Sequence, residues 1–271
     1  MLMWLPPSEG KTAPVTGPTL DLSTLIFPEL SDVRSQVISH VEHLGNTQEA
    51  AQILGVGARG REEALEANAR LMDSPCGPAR QVFSGVLFEA ANLGDIPAEI
   101  LSERVRIFSG LFGVVAPGDY IPNYRLAMGV KLPGVGAMTQ LWRPYLERAL
   151  KAEVTDRIIL DCRSGPYRQA CPTAGGHCVE LSVVREINGQ RQTISHDAKK
   201  WRGLVVHSLL RHEGGAQASD PNDIAQTITD VLDTISFIDA KGAPHGAHSV
   251  ELGATKKVGG GLRTIATLVT T

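Results

Sequence analysis

Arg157-Ile158-Ile159-Leu160-Asp161-Cys162-Arg163-Ser164-Gly165-Pro166-Tyr167 is the stretch that decides the fold. Its apolar half reads as a buried strand from Arg157 to Cys162. Arg163-Ser164-Gly165 then turns the chain, and a helix start follows, with Ser164 placed to cap it. A strand that runs straight into a helix aims backbone amides outward at the strand end. That position is where ligands sit in open α/β sheets, so Asp161 and Ser164 are expected to face a cleft.

Working outward, Ala137 to Ala152 carries Leu141, Trp142, Tyr145, Leu146 and Leu150 at helical spacing. Downstream, the apolar runs Cys178 to Ile187 and Gln192 to Ser195 flank Asn188-Gly189, a strong hairpin signal. Asp197 then caps a helix to about His212, and Pro221 to Ile235 reads as another. Val250 to Leu252 and Leu262 to Val269 read as closing strands. Upstream, Leu2 to Leu5 and Val105 to Phe108 are strand candidates. Ser31 or Asp32 caps a helix through Leu44. Gln48 to Leu54 and about Arg61 to Met72 are two further helices. Residues 73–80 and the Gly- and Pro-rich residues 116–134 read as loop. Helices and strands are mixed rather than strictly alternating. The expectation is one α/β (α+β) domain over 1–271, a mixed sheet flanked by helices.

The 271 residues are 42% apolar and 20% charged, with a formal net charge of -3. A sizeable core is expected, and a strongly basic nucleic-acid binder is excluded, so any basic surface is local. The start lacks a basic signal-peptide region and stops its apolar run at Pro6. No apolar run reaches the ~18 residues a membrane helix needs. A cytoplasmic protein without membrane contact is expected. Cys76, Cys162, Cys171 and Cys178 lack CxxC spacing, which rules out a zinc ribbon. His177-Cys178 and His245 with His248 have no matching second pair, and His40, His43, His196, His207 and His212 are scattered. Neither a metal nor a cofactor is expected.

Pro7-Ser8-Glu9-Gly10-Lys11-Thr12 approaches a phosphate-loop pattern, but Leu5 stands where that pattern needs glycine. Ser8, Lys11 and Thr12 are kept as candidate cleft lining after a strand end. Residues 46–72 hold Gly55-Val56-Gly57 with Arg59 and Arg61 between two helical stretches, the pattern of a helix-hairpin-helix. Glycines there let a phosphate approach the backbone closely. A plain αα-corner fits the same pattern, and Glu62, Glu63 and Glu66 follow at once. Ser109 ends a strand candidate, and Tyr124-Arg125 sits in the long loop, where an arginine fork suits phosphate or carboxylate. Lys199, Lys200 and Arg202 crowd the start of a helix, where cations are unfavourable unless they meet an anion. The convergence expected is Ser8, Lys11, Thr12, Ser109, Tyr124, Arg125, Ser164, Tyr167, Lys199, Lys200 and Arg202 around one cleft.

Several of these segments together resemble the YaaA family of peroxide-stress proteins. They are Pro7-Ser8 with Lys11-Thr12, Phe108-Ser109-Gly110-Leu111-Phe112-Gly113-Val114, Tyr124-Arg125-Leu126 with Met128-Gly129, Ser164 with Tyr167, and Ala198-Lys199-Lys200 with Arg202-Gly203. The chain departs from the family pattern at Ala127, at Arg163 and Gly165-Pro166, and at Glu9-Gly10. The resemblance implies a monomeric α/β fold with a positively charged cleft and a helix-hairpin-helix. It implies binding of duplex DNA without sequence preference, in a response to hydrogen peroxide that limits iron-dependent damage. An enzyme acting on a nucleotide-like or phosphate-bearing small anion in the same cleft is the alternative.

Overall fold

A computed structural model describes residues 1–194 and 197–271. Ser195, the expected end of a strand, and His196 lie outside the described residues. The elements in chain order begin with β1 (Leu2–Leu5), α1 (Ser31–Glu42), α2 (Gln48–Leu54) and α3 (Arg61–Asn68). The helices α4 (Ala79–Val82), α5 (Val86–Ala91) and α6 (Ala98–Arg104) come next, then β2 (Val105–Ser109) and β3 (Gly113–Val115). The middle holds α7 (Met138–Val154), β4 (Ile159–Asp161), α8 (Gly165–Ala170), β5 (His177–Ile187) and β6 (Gln190–Thr193). The last part has α9 (Ala198–Arg211), α10 (Gly214–Gln217), α11 (Pro221–Asp230), β7 (Ser236–Ile238), β8 (Pro244–Leu252), β9 (Lys256–Val258) and β10 (Gly261–Thr270).

Ten strands form one mixed sheet in the order β7-β8-β10-β5-β4-β1-β2-β3, with β6 on β5 and β9 on β10. The central strands β10, β5, β4, β1 and β2 are all parallel. β3 and β8 pair antiparallel at the two flanks. The chain leaves β1 for β2 on one side and later returns to β4 on the other. The order of connection therefore reverses at β1, and the crevice past its carboxyl end is the place such sheets offer a ligand.

The parallel strands are buried on both faces, which is why β1 reads as an unbroken apolar run with Leu2, Met3, Trp4 and Leu5 all at 0% exposure. Along α7, Met138, Trp142, Leu146, Leu150 and Val154 turn inward, and the Trp142 indole donates to the Gly110 carbonyl at 2.8 Å. Asn188 and Gly189 both have positive φ, 52° and 75°, as a tight two-residue hairpin turn requires. Residues 81–104, which show no clear period, form α5, α6 and most of the adjoining turns. The expected helix from Arg61 to Met72 ends at Asn68 instead, and the chain continues in tighter turns in which the Arg70 amide reaches only three residues back to the Ala67 carbonyl. The expected loop 116–134 carries two short two-residue ladders, Gly77–Pro78 with Tyr120–Ile121 and Lys131–Leu132 with Gly136–Ala137. No described helix is long and apolar enough to cross a membrane.

Candidate functional site

The turns after β1 and β4 meet the loop 124–129, the start of α5 and the first turns of α9. Together they enclose a cavity of about 440 Å³. Ser8, Lys11, Arg125, Ser164, Tyr167, Lys199 and Arg202 all line it, although they span nearly two hundred residues of sequence. Glu9, Ser84, Gly85, Leu87, Phe88, Leu126 and Pro166 complete much of the wall.

Two glycines make this meeting possible. A Cβ on Gly203 would stand 2.3 Å from the Leu87 carbonyl oxygen and 2.7 Å from the Ala90 Cβ. Only the absence of a side chain lets α9 lie against α5, and that contact brings Lys199 and Arg202 to the wall. A Cβ on Gly110 would stand 2.4 Å from the Leu126 carbonyl oxygen, so the bare backbone lets the Arg125 loop close over the end of β2.

Lys11 is half-buried, and its ammonium donates to the Ser8 carbonyl at 3.0 Å. Its nitrogen stands 4.3 Å from the Tyr124 ring centre and 5.5 Å from that of Phe83. Burial, then the neighbouring Arg125 charge, lower its pKa from 10.5 to about 7, against a smaller opposing effect of Glu9. Arg125 takes up the Glu9 carboxylate at 3.2 Å and the Glu9 carbonyl at 3.1 Å. Its backbone is clasped by Asn68, which accepts from the Arg125 amide at 2.7 Å and donates to the Arg125 carbonyl at 2.8 Å. Arg202 is steadied by donating to the Leu181 carbonyl at 3.1 Å. Among the described residues of the wall, Arg125, Lys199, Arg202 and the Lys11 amine thus face one carboxylate, Glu9. In a protein whose net charge is -3, that is a strongly local concentration of positive charge.

Beneath the cavity, Ser109 Oγ accepts from the amides of Leu111 and Phe112 at 3.1 and 2.9 Å. Both lone pairs are then used, so its hydroxyl donates to Tyr124 Oη at 2.7 Å. These two buried side chains support the floor rather than line it. Burial also pushes the Tyr167 hydroxyl up to about 12, so it stays a neutral phenol.

Three further expectations, on Asp161, Lys200 and Thr12, need correction. Asp161 does not face the cleft. It is 1% exposed and holds Arg163 in a bidentate pair at 2.8 and 2.9 Å, since a buried carboxylate needs a partner. The Arg163 guanidinium in turn lies 4.4 Å from the Trp4 ring and 4.2 Å from that of Phe108. Ser164, by contrast, lines the cavity and makes no side-chain cap on α8. Lys200 leaves the cavity and sits 3.9 Å over the Phe237 ring. Consecutive helical residues point about 100° apart, so Lys199 and Lys200 cannot share one wall. Thr12 is exposed, and its amide is spent on the Val82 carbonyl at 2.9 Å.

Sequence reasoning missed Asn68 and the stretch Ser84 to Phe88. Ser84-Gly85 carries the turn signal that could have drawn attention, and Gly85 indeed has φ of 105°.

The hairpin segment is a separate surface. Gly55 caps α2 and Gly60 precedes α3, both in left-handed conformation. No atom lies within 4 Å of the Cβ position at Gly55, Gly57 or Gly60, so this backbone is open to solvent. Val56 packs against the core, Arg59 is exposed, and Arg61 is half-buried at the first position of α3. Glu62 and Glu63 occupy the first turn.

All four cysteines are buried, and burial raises every thiol, Cys76 to about 11 and Cys162 and Cys171 to about 12. Among the described residues no three His, Cys, Asp or Glu side chains cluster as a metal site. His177 is bonded to Thr264 and His245 to Asp239.

The family model described as peroxide stress protein YaaA matches residues 1–229. A UPF0246 protein of Corynebacterium efficiens is 38% identical over 231 residues, covering 83% of this chain and 92% of its own. A UPF0246 protein of Streptomyces coelicolor is 34% identical over 237 residues, covering 85% and 90%. An uncharacterized protein of Campylobacter jejuni is 26% identical over 213 residues, covering 76% and 83%. The five ordered motifs noted in the sequence all fall inside the matched residues, and three of them deliver Lys11, Arg125 and Lys199 to one cavity. The chain belongs to the YaaA family of peroxide stress proteins.

Proposed function

We propose that this member of the peroxide-stress family binds a small anionic molecule, phosphate- or carboxylate-bearing, in the cavity at the carboxyl end of β1. One observation carries the reading: Lys11, Arg125, Lys199 and Arg202 converge on an enclosure whose remaining wall is largely apolar. Its 440 Å³ lies within the range of about 300–1,000 Å³ typical of small-molecule sites. An enclosure of this volume suits a small molecule better than a duplex. The cations would hold the anionic group, and Leu87, Phe88 and Leu126 would hold the body of the ligand.

The test is thermal unfolding of the full chain with nucleotides and with phosphorylated and carboxylated metabolites. A ligand at ~100 times its Kd adds about 2.7 kcal/mol, a shift of several degrees. Lys199→Glu should remove the shift, whereas Lys200→Glu should leave it, because Lys200 faces Phe237. No shift with any anion, or equal effects of the two changes, would refute the reading.

A second reading is favoured by the hairpin. Three open glycines and exposed Arg59 suit contact with DNA phosphates, which positions a protein without reading bases. In peroxide defence such binding would shield DNA from iron-driven oxidation. Retention of duplex DNA at ~50 mM salt, lost by ~200 mM and weakened by Arg59→Glu, is expected from counterion release. No retention even at the lower salt would sink it.

A further inference from the structure

We propose that Lys11 is a nucleophilic amine that captures a carbonyl-bearing anion, a 2-oxo acid or an aldehyde phosphate, as an imine inside the cavity. This rests on the cavity being a small-anion site and adds the class of molecule it takes.

The geometry singles out Lys11 among the cavity's two lysines. Lys199 is exposed, whereas Lys11 is half-buried on the floor between Ser8 and two aromatic rings. It has no carboxylate of its own, because the Glu9 carboxylate is taken by Arg125 at 3.2 Å. The charged and titratable groups around it are Arg125, Glu9, Lys199, Arg202, Tyr124 and Tyr167. An amine set among cations and apolar walls loses its proton early, which is how an amine becomes a nucleophile near neutrality. Its pKa of about 7 agrees with that placement. One N–H of the neutral amine donates to the Ser8 carbonyl, and the lone pair remains for attack.

The step balances without an added oxidant. The amine lone pair forms a C–N bond to the carbonyl carbon while the C=O π pair moves to oxygen. One amine proton moves to that oxygen, giving a carbinolamine. The second amine proton leaves with the hydroxyl as water, the C–O bond breaks and C=N forms. A proton taken up from water then makes the imine a cation, and the Tyr124 ring at 4.3 Å favours it as it favours the ammonium. Arg125, Lys199 and Arg202 are left to hold the anionic group.

The experiment treats the full-length protein with pyridoxal 5′-phosphate or glyoxylate, together with sodium cyanoborohydride, and maps the reduced adducts by peptide mass spectrometry. Lys11 is expected to label at least roughly tenfold faster at neutral pH than exposed Lys151, Lys241 and Lys256, since about half of its amine is unprotonated there. The Lys11 rate should rise with a midpoint near pH 7, be slowed by excess inorganic phosphate, and fall in Arg125→Gln. Lys11→Arg should lose the fast adduct. Labelling spread evenly over the lysines, or a Lys11 midpoint near the ordinary 10.5, would overturn the proposal. If inorganic phosphate raises the Tm while Lys11 stays inert, the imine fails and the anion site stands. If neither occurs, both fall.

Discussion

Arg163 carries a guanidinium to 0% exposure, held between two aromatic rings and clamped by the Asp161 carboxylate. Removing one member of such a pair leaves the other charge buried and uncompensated, at a cost of about 3–5 kcal/mol. Arg163→Met should therefore lower the urea midpoint severely, and Asp161→Asn in the same chain should recover part of the loss. Additive losses in the double variant would show that the two residues do not act as a pair. Lys11 makes a prediction of the opposite kind. Its folded pKa is about 7 and its unfolded value about 10.5, so between them the unfolded chain binds more protons. Stability then rises with pH across that window. Compared with Lys11→Met, the wild type should gain stability from about pH 6 to about pH 9.5. An unchanged difference in urea unfolding would mean that Lys11 keeps its proton on folding.

The pair α5 and α9 is the element on which the cavity depends. With the Cβ position at Gly203 only 2.3 Å from the Leu87 carbonyl oxygen, even Gly203→Ala must push the helices apart. Overpacking of this kind costs about 1–3 kcal/mol. The variant should unfold earlier and also show a smaller phosphate-induced Tm shift, because Lys199 and Arg202 move with α9. A full ligand shift in a destabilised variant would separate the helix contact from the site. The sequence marks α9 well, through its basic cluster and apolar spacing, and marks α2 at its correct bounds. It marks α5 poorly, because six residues are too few for a helical period and the apolar run Val86-Leu87-Phe88 fits a strand equally. The cavity was legible to the extent that its cations follow strand ends or begin helices. Which lysine of an adjacent pair faces inward depends on the rotation of α9, and Phe237, which claims Lys200, comes thirty-seven residues later. Asn68 was illegible for a like reason: its partners are the backbone groups of Arg125, and backbone groups carry no sequence signal.

Across the whole molecule, the parallel centre of the sheet was expected only as part of a mixed sheet. The pairing that ties its halves together joins β5 to β10 over nine residues, from His177↔Leu262 to Thr270↔Arg185. A chain lacking residues 261–271 would leave edges of both β5 and β8 unpaired, and exposed apolar edges template aggregation. Such a chain should accumulate as insoluble protein, and a soluble, cooperatively unfolding product would contradict this account. The same pairing bears on how the protein is made. On one β5 edge, β4 pairs with Cys178 to Glu180 and the β6 hairpin with Val184 to Ile187, both within a short stretch of chain. The other edge waits for residues 261–270, roughly seventy residues further on. At a ribosomal pace of about 5–20 residues per second, that interval lasts several seconds. During it, the nascent polypeptide presents an open, Val-rich strand to its surroundings, where an unpaired edge invites pairing with another chain.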